Sequence, residues 1–142
     1  MKLTTKGRYG TRAMLDIALN CENGPIPLKD LAQRQGVSIK YLEQILTTLR
    51  AAGFVRSIRG NGGGYTLAKS AHRIKILDVV QALEGSLSPV DCVDTPKLCP
   101  RARECAAREL WVEMRDAING VLGSRTLADL ADRQKQKLKK HT

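Results

Sequence analysis

Two helix-like segments separated by a glycine constrain the fold of this chain more than any other feature. The stretch from Leu28 to Gln35 has the apolar spacing of a short helix, and Gly36 follows it. Ser38 then starts a segment, reaching about Ala52, whose apolar residues recur at i, i+3, i+4 and i+7. Glycine tolerates positive φ in a turn, and serine is a favoured helix N-cap. The pattern predicts a helix-turn-helix unit.

A glycine-rich hairpin is predicted directly after this unit. Residues Phe54 to Arg59 alternate apolar and polar side chains, Gly60 to Gly64 form a flexible connection, and Tyr65 to Ala68 return as a second strand. A phosphate-binding glycine loop is disfavoured, because no Gly-Lys-Ser/Thr is present and no helix follows. A hairpin after a helix-turn-helix is a wing. Arg59 stands at its predicted tip, where it could reach a minor groove of DNA.

The charge of the chain is uneven and favours a polyanionic partner. Lysine and arginine number 24 against 14 acidic residues, a net charge of +10, and residues 1–70 hold 11 of the basic and 4 of the acidic side chains. The second helix of a helix-turn-helix lies in the major groove with its N-terminal residues at base edges. The candidate DNA-contacting residues there are Ser38, Lys40, Tyr41, Glu43 and Gln44. The alternative is an ordinary solvated helix face.

The remaining segments are predicted to be mainly helical. A first helix is expected over Lys6 to Asn20, another over Ile74 to Leu83, and a longer one from Arg103 to Gly120. The apolar positions of the long helix are not obviously needed by a single-domain core. A two-fold dimer would use them, because symmetric DNA sites are read by symmetric dimers. The alternative is that Trp111 packs on its own domain.

These segments divide the chain into four expected regions. Residues 1–84 form the winged helix-turn-helix domain, 85–105 a cysteine-bearing loop, 103–131 a dimerisation helix with a short final helix, and 132–142 a basic, disordered tail. No apolar signal region or membrane-length apolar run is present, which predicts a cytoplasmic chain without a membrane contact. No convincing catalytic dyad is found, so an enzyme is not expected.

Three cysteines are the candidate cofactor ligands. Cys92 and Cys99 are separated by six residues, and Cys99 and Cys105 by five. Zinc sites usually have shorter Cys-Cys spacings, whereas iron–sulfur clusters tolerate wider, loop-borne ones. Cys105 falls near a predicted helix start, where the helix dipole favours a thiolate. A thiol redox switch, a zinc site and inert cysteines remain alternatives. Cys21 is expected to be a buried small side chain.

Four segments carry a resemblance to a known family. MKLTTKGRYGTRAMLDIALN, VSIKYLEQILTTLR, RGNGGGYTLAK and CAARELW resemble the iron–sulfur cluster regulators of the Rrf2 family of winged helix-turn-helix transcription factors, over about residues 1–130. The resemblance implies a homodimeric repressor or regulator that binds a double-stranded DNA operator. It implies a 2Fe–2S cluster, or less often 4Fe–4S, on Cys92, Cys99 and Cys105. It also implies control of cluster-biogenesis, iron or stress genes.

The chain departs from the family pattern at the fourth ligand. Relatives place a histidine three residues after the last cysteine, where this chain has Arg108, and a guanidinium cannot ligate iron. The spacing between the first two cysteines is also one residue longer. Local candidates for the fourth ligand are Asp91, Asp94, Glu104 and Glu109, besides a residue of the partner's first helix. A thiol-redox or small-molecule-responsive regulator without a cluster is the main alternative, followed by a zinc-dependent nucleic-acid binder.

Overall fold

The computed structural model describes residues 2–141 as a mainly helical chain with one small antiparallel sheet. The elements are α1 (Thr5–Leu19), α2 (Leu28–Gln35), α3 (Ile39–Ala51), β1 (Val55–Ile58), β2 (Gly64–Leu67), α4 (Ile76–Glu84), α5 (Asp91–Asp94), α6 (Ala106–Gly123) and α7 (Leu127–Lys140). Single turns of 3-10 helix lie at Cys21–Asn23, Ala71–Arg73 and Pro96–Leu98. The predicted winged helix-turn-helix with a long C-terminal helix is confirmed.

The turn between α2 and α3 has the predicted local chemistry. Gly36 adopts a left-handed conformation with φ of 68°, and its N–H bonds the last turn of α2. The Ser38 hydroxyl caps α3 by accepting the N–H of Tyr41 at 3.1 Å. The inward face of α3 is completely buried and consists of Leu42, Ile45, Leu46 and Leu49. This face anchors α3 on the core and leaves its other side in solvent.

The wing is short and is tied to the body of the domain. β1 and β2 pair antiparallel, from Val55 opposite Leu67 to Ile58 opposite Gly64. Tyr65 of β2 also exchanges two backbone hydrogen bonds with Ile26, of 2.8 and 2.9 Å. A side chain at Gly64 would overlap the carbonyl of Ile26, so glycine is required where these backbones approach.

A buried carboxylate fastens α1 to α2. Asp16 is only 8% exposed and accepts two hydrogen bonds from Arg34, of 2.6 and 2.9 Å. Gln35 and Asn20 add further amide donors to the same carboxylate. The hydrogen bond to Asp16 raises the pKa of Arg34 above its ordinary value. The pair fixes the first helix of the helix-turn-helix against α1.

The C-terminal helix differs most from the sequence prediction. The region 132–142, predicted to be disordered, continues α7 as helix to Lys140; residue 142 lies outside the described residues. Thr126 and Asp129 form a reciprocal capping box at the start of α7. The lysines at its C-terminal end favour the helix because they complement its dipole. The prediction of disorder was therefore wrong for the described part of the tail.

Three smaller predictions also needed correction. The helix predicted from Arg103 to Gly120 begins at Ala106 and ends at Gly123. The cysteine-bearing region is not a plain loop, since it contains α5 and the Pro96–Leu98 turn. Cys21, predicted to be buried, is exposed because the 3-10 turn after α1 directs the chain away from the core.

Candidate nucleic-acid interface and cysteine segment

The solvent face of α3 presents a polar surface of the kind that reads base edges. Lys40, Glu43 and Gln44, all predicted as DNA contacts, are exposed and line one shallow depression together with Thr47. The Thr47 hydroxyl donates to the backbone carbonyl of Glu43 at 2.8 Å. Thr47 was not among the predicted contacts, although its position one turn after Glu43 places it on the same face.

Ser38 and Tyr41 have internal roles at the start of α3. The Ser38 hydroxyl is the N-cap, and the Tyr41 hydroxyl lies 2.8 Å from the hydroxyl of Thr5 in α1. The Tyr41 ring also packs edge-on against Tyr9, with centroids 6.4 Å apart. Tyr41 therefore joins the first turn of α3 to the first turns of α1.

The N-terminus of α1 is capped by a side chain from α4. One oxygen of Glu84, Oε1, accepts the N–H of Thr4 at 2.8 Å, the hydroxyl of Thr4 at 2.7 Å and the N–H of Gly7 at 3.1 Å. A side chain at Gly7 would overlap that oxygen. Because Thr5 lies in the capped turn, the position of Glu84 is linked to Tyr41 and thus to α3.

The predicted wing contact lies in an exposed position. Arg59 directly follows β1 and precedes Gly60, whose φ is 97°. Arg56, farther down the same strand, instead donates to the carbonyl of Ala68 at 3.1 Å across the hairpin. Both arginines are exposed, but Arg56 is engaged in a hydrogen bond across the hairpin, whereas Arg59 stands at its turn.

The three cysteines follow α4 within one segment. Cys92 lies in α5, Cys99 ends the adjacent 3-10 turn, and Cys105 is the N-cap of α6. All three are free thiols and partly exposed. Within residues 2–141, no group of three Cys, His, Asp or Glu side chains is arranged to hold a metal ion. The segment thus supplies a thiolate donor set without holding the three sulfurs in a closed ligand geometry.

Arg108 connects the two ends of this segment. Its Nε donates to the carbonyl of Cys92 at 3.0 Å, and its own N–H donates to Sγ of Cys105 at 3.4 Å. The helix start therefore places a backbone N–H group beside the thiol of Cys105, while the guanidinium lies at the carbonyl of Cys92. Arg108 therefore holds α5 against α6.

The acidic side chains proposed as fourth ligands differ in their hydrogen bonding. Asp94 accepts hydrogen bonds from the hydroxyls of Ser86 and Ser88, which lower its pKa below the ordinary value. These bonds connect the segment to the residues just after α4. The other candidates are exposed, namely Asp91, Glu104 and Glu109. The structure gathers none of the four around the cysteines as a metal site among the described residues.

The long helix α6 carries apolar side chains that the single chain leaves in solvent. Leu110, Met114 and Val121 are 52%, 39% and 63% exposed. Near its end, a shallow cleft is lined by apolar residues alone, which are Leu3, Ala117, Ile118, Val121 and Leu122. Such an exposed apolar stripe is typical of an interface.

A family model described as "Iron-dependent Transcriptional regulator", Rrf2, matches residues 3–133. The chain belongs to the Rrf2 family. Among curated relatives, Protein rrf2 of Nitratidesulfovibrio vulgaris is 48% identical over 130 residues, covering 92% of this chain and 87% of the relative. The HTH-type transcriptional regulator IscR of Escherichia coli is 43% identical over 134 residues, covering 94% and 82%.

Solved structures of Rrf2-type regulators have the same fold. IscR of T. potens is 39% identical with a TM-score of 0.80, covering 96% of this chain and 90% of that one. CymR, the global cysteine regulator of B. subtilis, is 43% identical with a TM-score of 0.79, covering 94% and 98%. The chain is accordingly a DNA-binding transcription regulator of the Rrf2 family. Within residues 2–141, no helix is long and apolar enough to cross a membrane.

Proposed function

We propose that this Rrf2-family chain is a dimeric cytoplasmic regulator that senses iron–sulfur status through a cluster, 2Fe–2S in preference to 4Fe–4S. Cys92, Cys99 and Cys105 would hold it. The observation that carries the proposal is that three free, partly exposed thiols lie on one segment between α4 and α6. Cluster irons take thiolate ligands on loops, and the bound cluster would supply a redox-active centre. Relatives named IscR support the same assignment.

The donor chemistry fits a cluster, but the segment would have to rearrange to bind it. The thiols do not converge on a metal site among the described residues, and Arg108 spans Cys92 and Cys105 by hydrogen bonds. Cluster binding would therefore require a different arrangement of residues 85–105. A cluster that binds only this second arrangement would shift the equilibrium from the present arrangement toward it. The fourth ligand would come from a nearby carboxylate or from the partner's α1.

Hydrogen bonds provide a route from this segment to the recognition helix. Ser86, two residues after Glu84, bonds Asp94 beside Cys92. Glu84 caps α1, whose Thr5 bonds Tyr41 of α3. A rearrangement around Cys92 would displace the end of α4 and, through Glu84, the N-terminus of α1. This displacement would change the position and orientation of α3 relative to the DNA.

On DNA, each half of the dimer would use α3 and the wing. Lys40, Glu43 and Gln44 would meet base edges in the major groove, and Arg59 would enter the adjacent minor groove. Ser38 and Tyr41 would act at the helix start, near the phosphate backbone. The apolar stripe of α6 would form the two-fold interface that presents two such units. Target genes would include those for cluster assembly or for iron and stress responses.

The test compares DNA selected from a random pool by the cluster-loaded protein and by the same protein after chelation of its iron. We expect the two forms to differ in affinity or in selected sequence. Arg59→Ala should weaken binding by 1–3 kcal/mol, or about 5- to 150-fold, whereas Arg56→Ala should weaken it less. Equal affinity and equal sequence preference in both forms would contradict the sensing proposal.

A thiol-redox regulator is the second candidate. It is favoured by the 43% identity to CymR, described as a global cysteine regulator, and by the accessible thiols. The two candidates differ in one result. An iron-free protein whose DNA affinity changes when its thiols are oxidised, and returns on reduction, would support the thiol switch over the cluster.

A further inference from the structure

The lysine-rich end of α7 lies against the helix-turn-helix. Gln134 and Leu138 line the same cleft as Arg12 of α1 and Arg34 of α2. Because side chains three residues apart share a helix face, Lys135 lies next to Leu138 and Lys137 next to Gln134 at the border of this cleft. The basic end of α7 is therefore held beside Arg12 and beside the Arg34–Asp16 ion pair.

Two arginines of α1 lie near the start of the recognition helix α3. Arg8 and Arg12 are exposed, one turn apart on α1, and their guanidinium carbons lie 5.8 and 5.5 Å from the ring centre of Tyr9. Tyr9 in turn packs on Tyr41 of α3. Arg8 and Arg12, together with Lys135, Lys137 and Lys140 of α7, are called the basic strip, and Arg12 lies between the two groups.

The end of α7 adds positive charge to this region. After Asp132 the helix carries only basic charges, at Arg133, Lys135, Lys137, Lys139 and Lys140. Neither ion pair found within residues 2–141, Arg34–Asp16 or Arg115–Asp116, involves Lys135, Lys137 or Lys140. Lys135, Lys137 and Lys140 are exposed and lie beyond residue 133, where the family match ends. Neither the core nor the family pattern accounts for them.

We propose that this basic strip binds the phosphate backbone of duplex DNA outside the base pairs contacted by α3 and the wing. The inference rests on the proposed DNA binding and adds a second contact region. Lysine acts as a flexible point charge, which suits contacts that do not depend on sequence. The basic part of α7, residues 133–140, spans about 12 Å, which corresponds to roughly three to four base pairs.

The test uses a random-sequence 40-base-pair duplex and fluorescence anisotropy between 50 and 200 mM KCl. The strip variant combines Lys135→Gln, Lys137→Gln and Lys140→Gln. The control variant removes the same charge at the other end of α7 through Arg73→Gln, Lys75→Gln and Arg125→Gln. A third variant replaces the three strip lysines by arginine and keeps their charge. Circular dichroism checks that all variants retain the helical content of the wild type.

Each phosphate contact contributes about 0.9 to the slope of log affinity against log salt. The strip variant should lose roughly 1 to 3 from the magnitude of this slope and bind about tenfold or more weakly at 100 mM salt. The arginine variant should match the wild type, and the control variant should change much less. The strip lysines lie about 15 to 22 Å from Arg125 along α7, more than one Debye length at 0.1 M salt.

Three results would overturn the inference. These are an unchanged slope in the strip variant, an equal loss in the control variant, and a strip-dependent preference for single-stranded RNA over the duplex. Failure of the wild-type protein to bind any duplex would instead refute the proposed DNA binding itself. The experiment can therefore refute the contact of the basic strip with phosphates without refuting DNA binding itself.

Discussion

The guanidinium of Arg108 donates to the backbone carbonyl of Cys92 across 3.0 Å, which places an arginine between two of the three proposed cluster ligands. The same residue's N–H is bonded to the sulfur of Cys105. The resemblance to cluster regulators implies a histidine at this position. The substitution replaces a potential ligand by a clamp between α5 and α6.

Arg108→His should therefore stabilise a bound cluster. An imidazole can ligate iron. Removal of the guanidinium would also free the Cys92 carbonyl from its hydrogen bond. We expect the visible absorption of the cluster to shift and its lifetime in air to lengthen about tenfold, within the range that ligand-shell changes produce. Arg108→Gln removes the clamp without adding a ligand and serves as the control. Identical decay of the two variants would show that the histidine does not ligate.

Removal of Glu84 should weaken both the fold and DNA binding. Its Oε1 holds three donors at the start of α1, so Glu84→Ala should cost about 1–2 kcal/mol in urea unfolding. Affinity for DNA should fall as well, because Thr5 in that turn bonds Tyr41. Glu84→Gln keeps an acceptor oxygen and should lose less of both. If Glu84→Ala unfolds earlier while its DNA affinity is unchanged, the cap is purely structural.

Two glycines should respond oppositely to alanine. A methyl group at Gly10 would overlap Leu83 and lie 3.2 Å from Ile45, so Gly10→Ala should destabilise by about 1–3 kcal/mol. Gly120, within α6, has no atom within 4 Å of an added methyl, and Gly120→Ala should stabilise by about 0.5–1 kcal/mol. Thermal unfolding of the two variants checks this. A stabilised Gly10→Ala would mean that α1 and α4 pack less closely than described.

Val121→Asp should dissociate the proposed dimer. Val121 is 63% exposed in the single chain, so a carboxylate there costs little unless a partner covers it. Light scattering after size-exclusion chromatography should give a dimer for the wild type and a monomer for the variant. Ile58→Asp, at a wing residue that is 45% exposed, should remain dimeric. A wild-type monomer, or a dimer that survives Val121→Asp, would place the interface elsewhere or remove it.

The elements predicted most closely from sequence were those with a local physical cause. The left-handed turn at Gly36, the Ser38 cap and the buried stripe of α3 each depend on residues within one or two turns. The boundaries of the wing were also close, since strand alternation and the glycines of the turn lie next to each other.

Features that depend on distant residues could not be predicted in this way. The Glu84 cap joins residues 77 and 80 positions apart, and no pattern in α1 or α4 announces it. The Asp16–Arg34 pair likewise needs the packed arrangement of two helices. The helical structure of α7, in contrast, has a local cause. The Thr126–Asp129 capping box is a signal within one turn of sequence that indicates a stable helix start. The run of lysines does not prevent the helix, because positive charge at its C-terminal end complements the helix dipole.

The most direct measurement of the central claim is the iron and acid-labile sulfide content of protein purified without oxygen, together with its visible absorption. The wild type and the control Cys21→Ala, whose thiol is exposed but lies outside the cysteine segment, should each hold about two irons and two sulfides per protomer. Cys92→Ala, Cys99→Ala and Cys105→Ala should each lose the colour and the iron. A colourless, iron-free wild-type protein that still binds its selected DNA would contradict the account.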